Sequence, residues 1–315
     1  MPVAPPSPRA PETPASAHGR ASWEFEEGAL IAPGRRVLKL LGGGNRCEVF
    51  LVWDERIFSL LVAKVLRPDQ VEDEQARREL AREADLLARL GHPTLVRGFR
   101  AALEGPRPHL LMEHVEGPTL DALVKRFGAL PLEQLLPLAL HVVAVLQYLA
   151  AEGVVHLDVK PGNIVMSAPP RLIDLGIART VERAGRLRGI LGTDAYMAPE
   201  QCDPSARPGL VGPATDVWGL GATLHHAAAG RVPFPRERGA GESSDPAVRF
   251  PQLFREPEPL PSHLPGGLSA LIQRMLARAP ADRPTPEEVA VELEPLVVEV
   301  PYRPRWSRRK GFVPR

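Results

Sequence analysis

One stretch, residues 154–176, constrains what this chain can fold into more than any other: VVHLDVKPGNIVMSAPPRLIDLG. Its polar side chains occur at fixed spacing between apolar residues, and they are His156, Asp158, Lys160, Asn163 and Asp174. The first four predict one compact loop. The last follows a short apolar strand and is closed by Gly176, as expected of a carboxylate held at the end of a strand.

These side chains, in this order, are those that phosphoryl transfer requires. One carboxylate, Asp158, would orient a hydroxyl nucleophile and accept its proton, and the ammonium of Lys160 would hold the moving phosphate. The amide of Asn163 and the carboxylate of Asp174 would hold a metal ion between the phosphates. Each residue alone is a weak signal, whereas the ordered set is specific.

The pattern H-x-D-x-K-x-x-N followed by D-x-G resembles the catalytic loop and metal-binding motif of eukaryotic-type (Hanks-type) serine/threonine protein kinases. The resemblance implies an α+β, bilobal protein kinase fold, with a small β-rich N-lobe containing one helix and a larger, mainly helical C-lobe. It also implies ATP and Mg²⁺ as cofactors. The form H-x-D-x-K-P-x-N-I and the compact length look most similar to soluble, single-domain bacterial members.

Two β-type runs, Val37–Leu41 and Val49–Trp53, are joined by a glycine-rich segment. This segment resembles the kinase glycine-rich loop L-G-x-G-x-x-G-x-V, with Cys47 in place of the third glycine. A hairpin turn explains the segment equally well, but a dinucleotide fingerprint is disfavoured because a strand follows the glycines. The ATP-binding residues that the resemblance implies here are Leu41, Gly42, Gly43, Gly44 and Val49.

A lysine, Lys64, lies within the apolar strand Leu60–Leu66, where an unpaired charge is costly. It matches the family's strand lysine, which binds the α- and β-phosphates. A helix is predicted over Glu72–Leu90, and Glu83 within it matches the glutamate that pairs with this lysine, although Glu79 one turn earlier is an alternative.

Two further strands are predicted at Leu95–Phe99 and His109–Met112. The residues that follow resemble the inter-lobe hinge, with Met112 as gatekeeper. The resemblance implies that backbone groups of Glu113 and Val115 hold adenine.

Later motifs occur in the family's order. Ala198-Pro199-Glu200 resembles the A-P-E end of an activation segment, and Asp216 matches the aspartate that caps the catalytic-loop backbone. Arg283 would pair with Glu200 in the interior. A helix is predicted from about Asp216 to Gly230 and another over Pro286–Leu293.

Three residues depart from the family's pattern: Cys47 replaces a glycine, Leu175 replaces the phenylalanine of D-F-G, and Leu157 stands where many kinases carry arginine. That arginine receives an activation-loop phosphate, which leucine cannot do. Between Asp174 and Glu200 the hydroxyl-bearing residues are Thr180, Thr193 and Tyr196. We therefore expect activity that does not depend on phosphorylation of this loop.

Net charge, cysteine content and the longest apolar stretch limit which partners and which cellular compartment are expected. The net charge of +1 predicts no nucleic-acid partner, and the two cysteines suggest no disulfide framework, which favours a reducing, cytoplasmic compartment. The most apolar stretch, Leu135–Ala151, is shorter than a typical membrane span of about 20 residues, so we expect a buried core helix and no membrane span.

The domain bounds follow from composition and from the motifs. Residues 1–30 are predicted to be a disordered Pro-rich leader. Residues 31–298 would form the kinase domain, with its N-lobe at 31–114 and its C-lobe at 115–298. Residues 299–315 form a basic tail, either solvated or in contact with acidic partners.

Three functions are compatible with these motifs. The first is a serine/threonine protein kinase acting on protein substrates. The second is a pseudokinase scaffold that binds partners without transferring phosphate. The third is a small-molecule kinase, which is disfavoured because such enzymes usually lack A-P-E and the later aspartate and arginine motifs. Retention of Lys64, Glu83, Asp158, Asn163 and Asp174 together favours the protein kinase.

Overall fold

The computed structural model describes residues 21–237 and 239–299, and these divide into two compact units. The N-terminal unit contains residues 21–89 and 97–114, and the C-terminal unit contains residues 90–96 and 115–299. Residues 1–20 and 300–315, with most of the predicted leader and tail, lie outside the described residues. The disorder and the acidic partners expected of them stay predictions.

The N-terminal unit is built on one six-stranded antiparallel sheet with the order β1-β2-β3-β4-β6-β5. Strand β3 alternates strictly between buried and half-buried residues, because successive side chains point to opposite faces of a sheet. The helix and strands are β1 Leu30–Ala32, β2 Arg35–Gly43, β3 Cys47–Asp54, β4 Ser59–Leu66, α1 Glu74–Arg89, β5 Gly98–Ala102 and β6 His109–Glu113.

Two predicted bounds of this unit differ from the structure. Composition places residues up to 30 in the leader, yet Trp23 and Phe25 pack against the sheet's apolar core, since aromatic rings bury area that Pro, Ala and Ser cannot. The strand predicted at Leu95–Phe99 is also wrong, because β5 begins only at Gly98. Leu95 and Val96 belong to the C-terminal unit, where the Val96 amide donates to the Leu172 carbonyl at 3.0 Å.

The C-terminal unit is mainly helical. Its helices are α2 Leu120–Phe127, α3 Leu132–Ala151, α4 Val181–Gly185, α5 Pro199–Cys202, α6 Pro213–Ala229, α7 Pro246–Arg249, α8 Gly266–Met275 and α9 Pro286–Glu299. Its short strands are β7 Val154–Val155, β8 Ile164–Val165, β9 Arg171–Leu172 and β10 Arg179–Thr180. Strand β7 pairs with β10 and β8 pairs with β9, so two small antiparallel pairs flank the loop that carries the predicted catalytic residues.

Helix α3 is the core helix of this unit and packs against α6 and α9. Within the described part of the chain it is the one helix that is long and apolar enough to cross a membrane, by length and composition alone. Its buried residues include Leu135, Ala139, Val142 and Leu146, on the spacing of one helical face. The helix therefore organises the interior that holds the loop after β7.

Candidate active site

The backbone of the loop after β7 is fixed from α6. The carboxylate of Asp216 accepts hydrogen bonds from the amides of His156 (2.7 Å) and Leu157 (2.8 Å). Leu157 has φ +68°, a conformation that costs free energy in a non-glycine residue, and these two bonds help to maintain it. Burial raises the pKa of Asp216 to about 7, although both amide bonds oppose the shift.

Three polar side chains converge on Asp158: Lys160, Asn163 and Thr193. Lys160 Nζ donates to Asp158 Oδ2 at 2.6 Å and to Thr193 Oγ1 at 2.6 Å. The Thr193 hydroxyl in turn donates to Asp158 Oδ1 at 2.7 Å. Asn163 Nδ2 donates to the Asp158 backbone carbonyl and to Oδ2, both at 3.0 Å. The Asp158 carboxylate and the Lys160 ammonium thus contact the same hydroxyl oxygen. In this arrangement the carboxylate can take a proton from an alcohol while the ammonium stabilises a nearby negative charge.

His156 lies behind this cluster and is fully buried. Its Nδ1 accepts a hydrogen bond from the Asp158 amide at 3.3 Å. Desolvation lowers its pKa, and the carboxylates of Asp158 and Asp174 only partly oppose that shift. A neutral, buried imidazole that holds the Asp158 backbone fits a structural role.

The two predicted metal ligands lie on connected backbone. The Ile173 amide donates to the Asn163 carbonyl at 2.9 Å, which brings the end of β9 to the loop, and Asp174 follows with φ +69°. Asn163 uses its Nδ2 group toward Asp158, so its Oδ1 is the atom suited to a cation. Mg²⁺ binds through one or two protein oxygens together with substrate phosphates. Asn163 and Asp174 therefore fit the cation, and their role as ligands stays a prediction.

In the N-terminal unit, Lys64 of β4 forms the predicted ion pair with Glu83 of α1. Lys64 Nζ contacts Oε1 at 3.0 Å and Oε2 at 2.8 Å. Glu83 lies on the buried face of α1 with Leu80 and Leu87, because residues three and four apart share one face of a helix. Glu79, the alternative partner, instead pairs with Arg46 at 2.9 Å.

The glycine-rich segment is a hairpin turn between β2 and β3, with Gly43 opposite Glu48. A Cβ atom at Gly43 would lie 2.6 Å from the Cys47 carbonyl oxygen, so only glycine fits there. Leu41 is 48% exposed and Val49 is half-buried, so both present apolar surface. The hairpin is observed, and phosphate binding by the turn stays a prediction.

The predicted adenine-binding residues follow β6. Met112 is buried in the strand, and the Glu113 amide donates to the Arg97 carbonyl at 2.9 Å. Binding of adenine by backbone groups of Glu113 and Val115 stays a prediction. Val115, the first residue of the C-terminal unit after β6, is half-buried.

Leu157 is part of an apolar cluster within the C-terminal unit. The cluster joins β7 and the loop after it to the segment between Asp174 and Glu200 and to the chain before α6. Its members are Val155, Leu157, Ile177, Ala184, Leu187, Leu191 and Val211. Gln201 Nε2 adds hydrogen bonds to the carbonyls of Leu157 (2.9 Å) and Leu191 (3.0 Å). Leu157 stands where many kinases carry arginine, and here apolar packing around Leu157 holds the segment between Asp174 and Glu200.

Two features of the site were not predicted from the sequence. One is the bridging hydroxyl of Thr193, for which the Gly192-Thr193 pair before A-P-E is the available signal. The other is Asp194, whose carboxylate pairs with Arg236 at 3.0 Å and Arg249 at 3.1 Å. The sequence contains no pattern that links these arginines to Asp194, because the contacts span 42 and 55 residues.

The comparison with known families agrees with this architecture. A sheet-based unit with a paired strand lysine and a helical unit with an Asp–Lys–Asn loop define a phosphotransferase-type catalytic domain. The protein kinase domain family model matches residues 35–292, and the chain belongs to that family. The predicted bilobal α+β fold is confirmed.

The chain is similar to bacterial serine/threonine-protein kinases. Serine/threonine-protein kinase PknB of Mycobacterium leprae is 32% identical over 257 residues, which cover 78% of this chain and 40% of PknB. Probable serine/threonine-protein kinase PkwA of Thermomonospora curvata is 34% identical over 268 residues, covering 83% of this chain and 34% of PkwA. The predicted Hanks-type, bacterial resemblance is confirmed, and the chain spans about two fifths or less of the length of these relatives.

Proposed function

We propose that the chain is a serine/threonine protein kinase that transfers the γ-phosphoryl group of ATP to hydroxyl groups of proteins. The observation that carries this proposal is the convergence of Asp158 and Lys160 on the hydroxyl of Thr193, at 2.7 and 2.6 Å. A substrate serine or threonine presents the same chemical group. The names of the curated relatives support the same activity.

The chain's own residues would divide the work as follows. Asp158 orients the attacking hydroxyl and accepts its proton, and Lys160 stabilises the charge of the transferring phosphoryl group. Lys64, held by Glu83, binds the α- and β-phosphates, while Asn163 and Asp174 hold Mg²⁺. When bound, Mg²⁺ neutralises charge on the phosphate oxygens. Most of the rate enhancement would come from positioning and from preorganised charge.

Activity without phosphorylation of the loop before A-P-E is part of the proposal. The apolar cluster around Leu157 holds residues of that loop by burial, which needs no phosphate. Tyr196 is an unsuitable phosphate acceptor there, since its hydroxyl bonds to His226 Nδ1 at 2.7 Å and burial raises its pKa. Thr180 already uses its hydroxyl to cap α4.

Protein substrates and a cytoplasmic location are the finer parts of the proposal. Neither Cys47 nor Cys202 forms a disulfide, which is compatible with a reducing compartment. The pseudokinase alternative would have no chemical use for the Asp158–Lys160–Thr193 arrangement. A small-molecule kinase would use the same residues, so only the identity of the acceptor separates it from a protein kinase.

The test is transfer of label from radiolabelled ATP with Mg²⁺ to the protein itself and to a generic basic protein. We expect label in the parent chain and none in Asp158→Asn. The matched control is Asp121→Asn, because this carboxylate is in the same unit and forms its ion pair with the exposed Lys125. Label that persists in Asp158→Asn would contradict the assigned base. No label with a thermal melt that still shifts with ATP would favour the pseudokinase or small-molecule alternatives.

A further inference from the structure

A buried carboxylate directly follows the glycine-rich turn. Glu48, at the start of β3, is only 2% exposed. Its Oε1 accepts hydrogen bonds from Ser22 Oγ at 2.6 Å and from Arg67 Nη1 at 3.3 Å, and its Oε2 accepts one from the Trp23 amide at 3.0 Å. None of these donors belongs to the β2–β3 hairpin, so the hairpin is held from outside itself.

Arg67, just after β4, contacts both the turn and the N-terminal segment. Its Nε donates to the Gly44 carbonyl at 2.9 Å, and its backbone amide donates to the Arg46 carbonyl at 2.9 Å. Its Nη1 also donates to the Ala21 carbonyl at 2.9 Å. One guanidinium group therefore joins the glycine-rich turn to residues more than twenty positions earlier in the chain.

The N-terminal segment at residues 21–25, which we call the strap, has its own anchor. Trp23 Nε1 donates to the Leu66 carbonyl at 2.7 Å, and the Trp23 ring stacks on Phe25 with centroids 5.8 Å apart. Phe25 in turn meets Phe50 of β3 edge to face at 5.4 Å. The guanidinium of Arg107 covers both strap rings at 5.3 and 5.0 Å. Trp23 and Phe25 are half-buried, and these ring and guanidinium contacts hold the strap against the sheet.

We infer that the strap, acting through Glu48 and Arg67, holds the glycine-rich turn in the conformation that binds nucleotide phosphates. This inference rests on the proposed ATP-binding role of the turn. A glycine-rich turn is conformationally free, and ordering it on binding lowers affinity. Contacts that order the turn beforehand remove part of that cost. Glu48 and Arg67 are thus positioning residues, and the nucleotide site extends to residues that precede the first strand.

The experiment measures the Kd of Mg²⁺–ATP by calorimetry on the full chain and on Glu48→Gln. A glutamine cannot accept three donors as the carboxylate does, and we expect affinity about tenfold weaker, the usual scale for losing bonds to a buried charged group. The matched control is Asp54→Asn, at the opposite end of the same strand. Asp54 pairs with Arg35 at 3.1 Å, and the two side chains are 5% and 9% exposed. We expect the control to lose stability and to keep its ATP affinity.

Two further variants keep the test decisive if Glu48→Gln folds poorly. Ser22→Ala removes the hydroxyl that donates to Glu48 and that accepts from the Glu24 amide at 3.2 Å. Arg67→Lys keeps the charge but not the fork that reaches Gly44, Ala21 and Glu48 together. In transfer assays we expect both to raise the KM for ATP with little change in kcat. A purely structural role would instead lower the melting temperature and leave KM unchanged.

The outcomes separate this inference from the proposed function. If the parent chain binds ATP and all three variants bind it as tightly as Asp54→Asn does, the strap has no positioning role and the inference is wrong, while the kinase proposal stands. If the parent chain binds ATP but transfers no phosphate, the kinase proposal fails and the Kd series still tests the strap. A parent chain that binds no ATP would overturn both.

Discussion

Glu200 and Arg283 form a bidentate ion pair in the interior of the C-terminal unit, with both side chains fully buried. Nη1 of Arg283 contacts Oε1 of Glu200 at 2.7 Å, and Nη2 contacts Oε2 at 2.8 Å. The remaining donors of the guanidinium bond to the carbonyls of Ala214, Ala277 and Arg278. Every nitrogen of the arginine side chain is thus satisfied, which is the condition under which a buried pair is tolerated.

The first prediction follows from that balance. Arg283→Met leaves the Glu200 carboxylate buried without its partner, and we expect a loss of about 3–5 kcal/mol in the free energy of unfolding. Urea denaturation followed by circular dichroism measures it. The double variant Arg283→Met/Glu200→Gln is the control and should lose less than the single variant. A single variant within about 1 kcal/mol of the parent would contradict the prediction.

The second prediction concerns the bridging hydroxyl of Thr193. Thr193→Val keeps the shape of the side chain but removes the group that joins Asp158 to Lys160. We expect kcat for phosphoryl transfer to fall by about tenfold or more, because small misplacements of catalytic groups are costly. Thr193→Ser keeps the hydroxyl and should stay close to the parent. Equal rates for the valine and serine variants would show that the bridge has no catalytic value.

The third prediction tests independence from loop phosphorylation. Thr180→Ala removes a cap of α4, where Thr180 Oγ1 accepts a hydrogen bond from the Arg183 amide at 3.4 Å. We expect a stability loss of about 0.5–2 kcal/mol, as for other caps, and unchanged transfer activity. Steady-state kinetics on protein expressed with and without a phosphatase measures the second part. Loss of activity both in Thr180→Ala and on phosphatase treatment would show that activity depends on phosphorylation of the loop.

The fourth prediction is a pH dependence that arises from Asp216. Burial raises its native pKa from 3.8 to about 7. The native state therefore binds more protons than the unfolded chain between these two pH values, so this group's contribution to stability is fully present below about pH 4 and is lost as the pH rises toward about 7. The stability of the parent relative to Asp216→Asn should decrease over that interval. A constant difference between the two proteins would contradict the shifted pKa.

Asp54 supplies a control of opposite sign for the same measurement. Burial alone would raise the pKa of Asp54, but the hydrogen bond from the Arg56 amide and the neighbouring Arg35 guanidinium lower it below 3.8. Its contribution is present above about pH 4 and is lost as the pH falls. Relative to Asp54→Asn, the parent should therefore lose stability on acidification, which distinguishes the two carboxylates in one titration series.

The fifth prediction concerns the contact between α6 and the catalytic loop. A Cβ atom at Gly219 would lie 3.0 Å from both Cβ and the carbonyl oxygen of Val159, between Asp158 and Lys160. Gly219→Ala should displace the loop and lower kcat about tenfold. Gly267→Ala in α8 meets nothing within 4 Å and should be neutral for activity and stabilising by up to about 1 kcal/mol. A Gly219→Ala variant as active as Gly267→Ala would show that the loop yields without loss.

Local sequence patterns determined most of the elements and the candidates for the site. The ordered motif from His156 to Asp174 indicated the family, and helical spacing located α1 and α3 to within a few residues. These features are readable because spacing along one strand, loop or helix is fixed by backbone geometry. The prediction of a strand at Leu95–Phe99 was wrong because an apolar run indicates that residues are buried but not which unit buries them. Leu95 and Val96 belong to the C-terminal unit.

Only the tertiary structure decided which distant residues meet. The contact of Thr193 with Asp158 joins positions 35 residues apart, and that of Asp194 with Arg249 joins positions 55 residues apart. The strap contacts Glu48 across about 26 residues. No periodicity encodes such pairs, because they depend on how independently formed elements pack. The sequence therefore specified the chemical groups of this protein kinase domain, and packing specified how the backbone and side chains hold them in place.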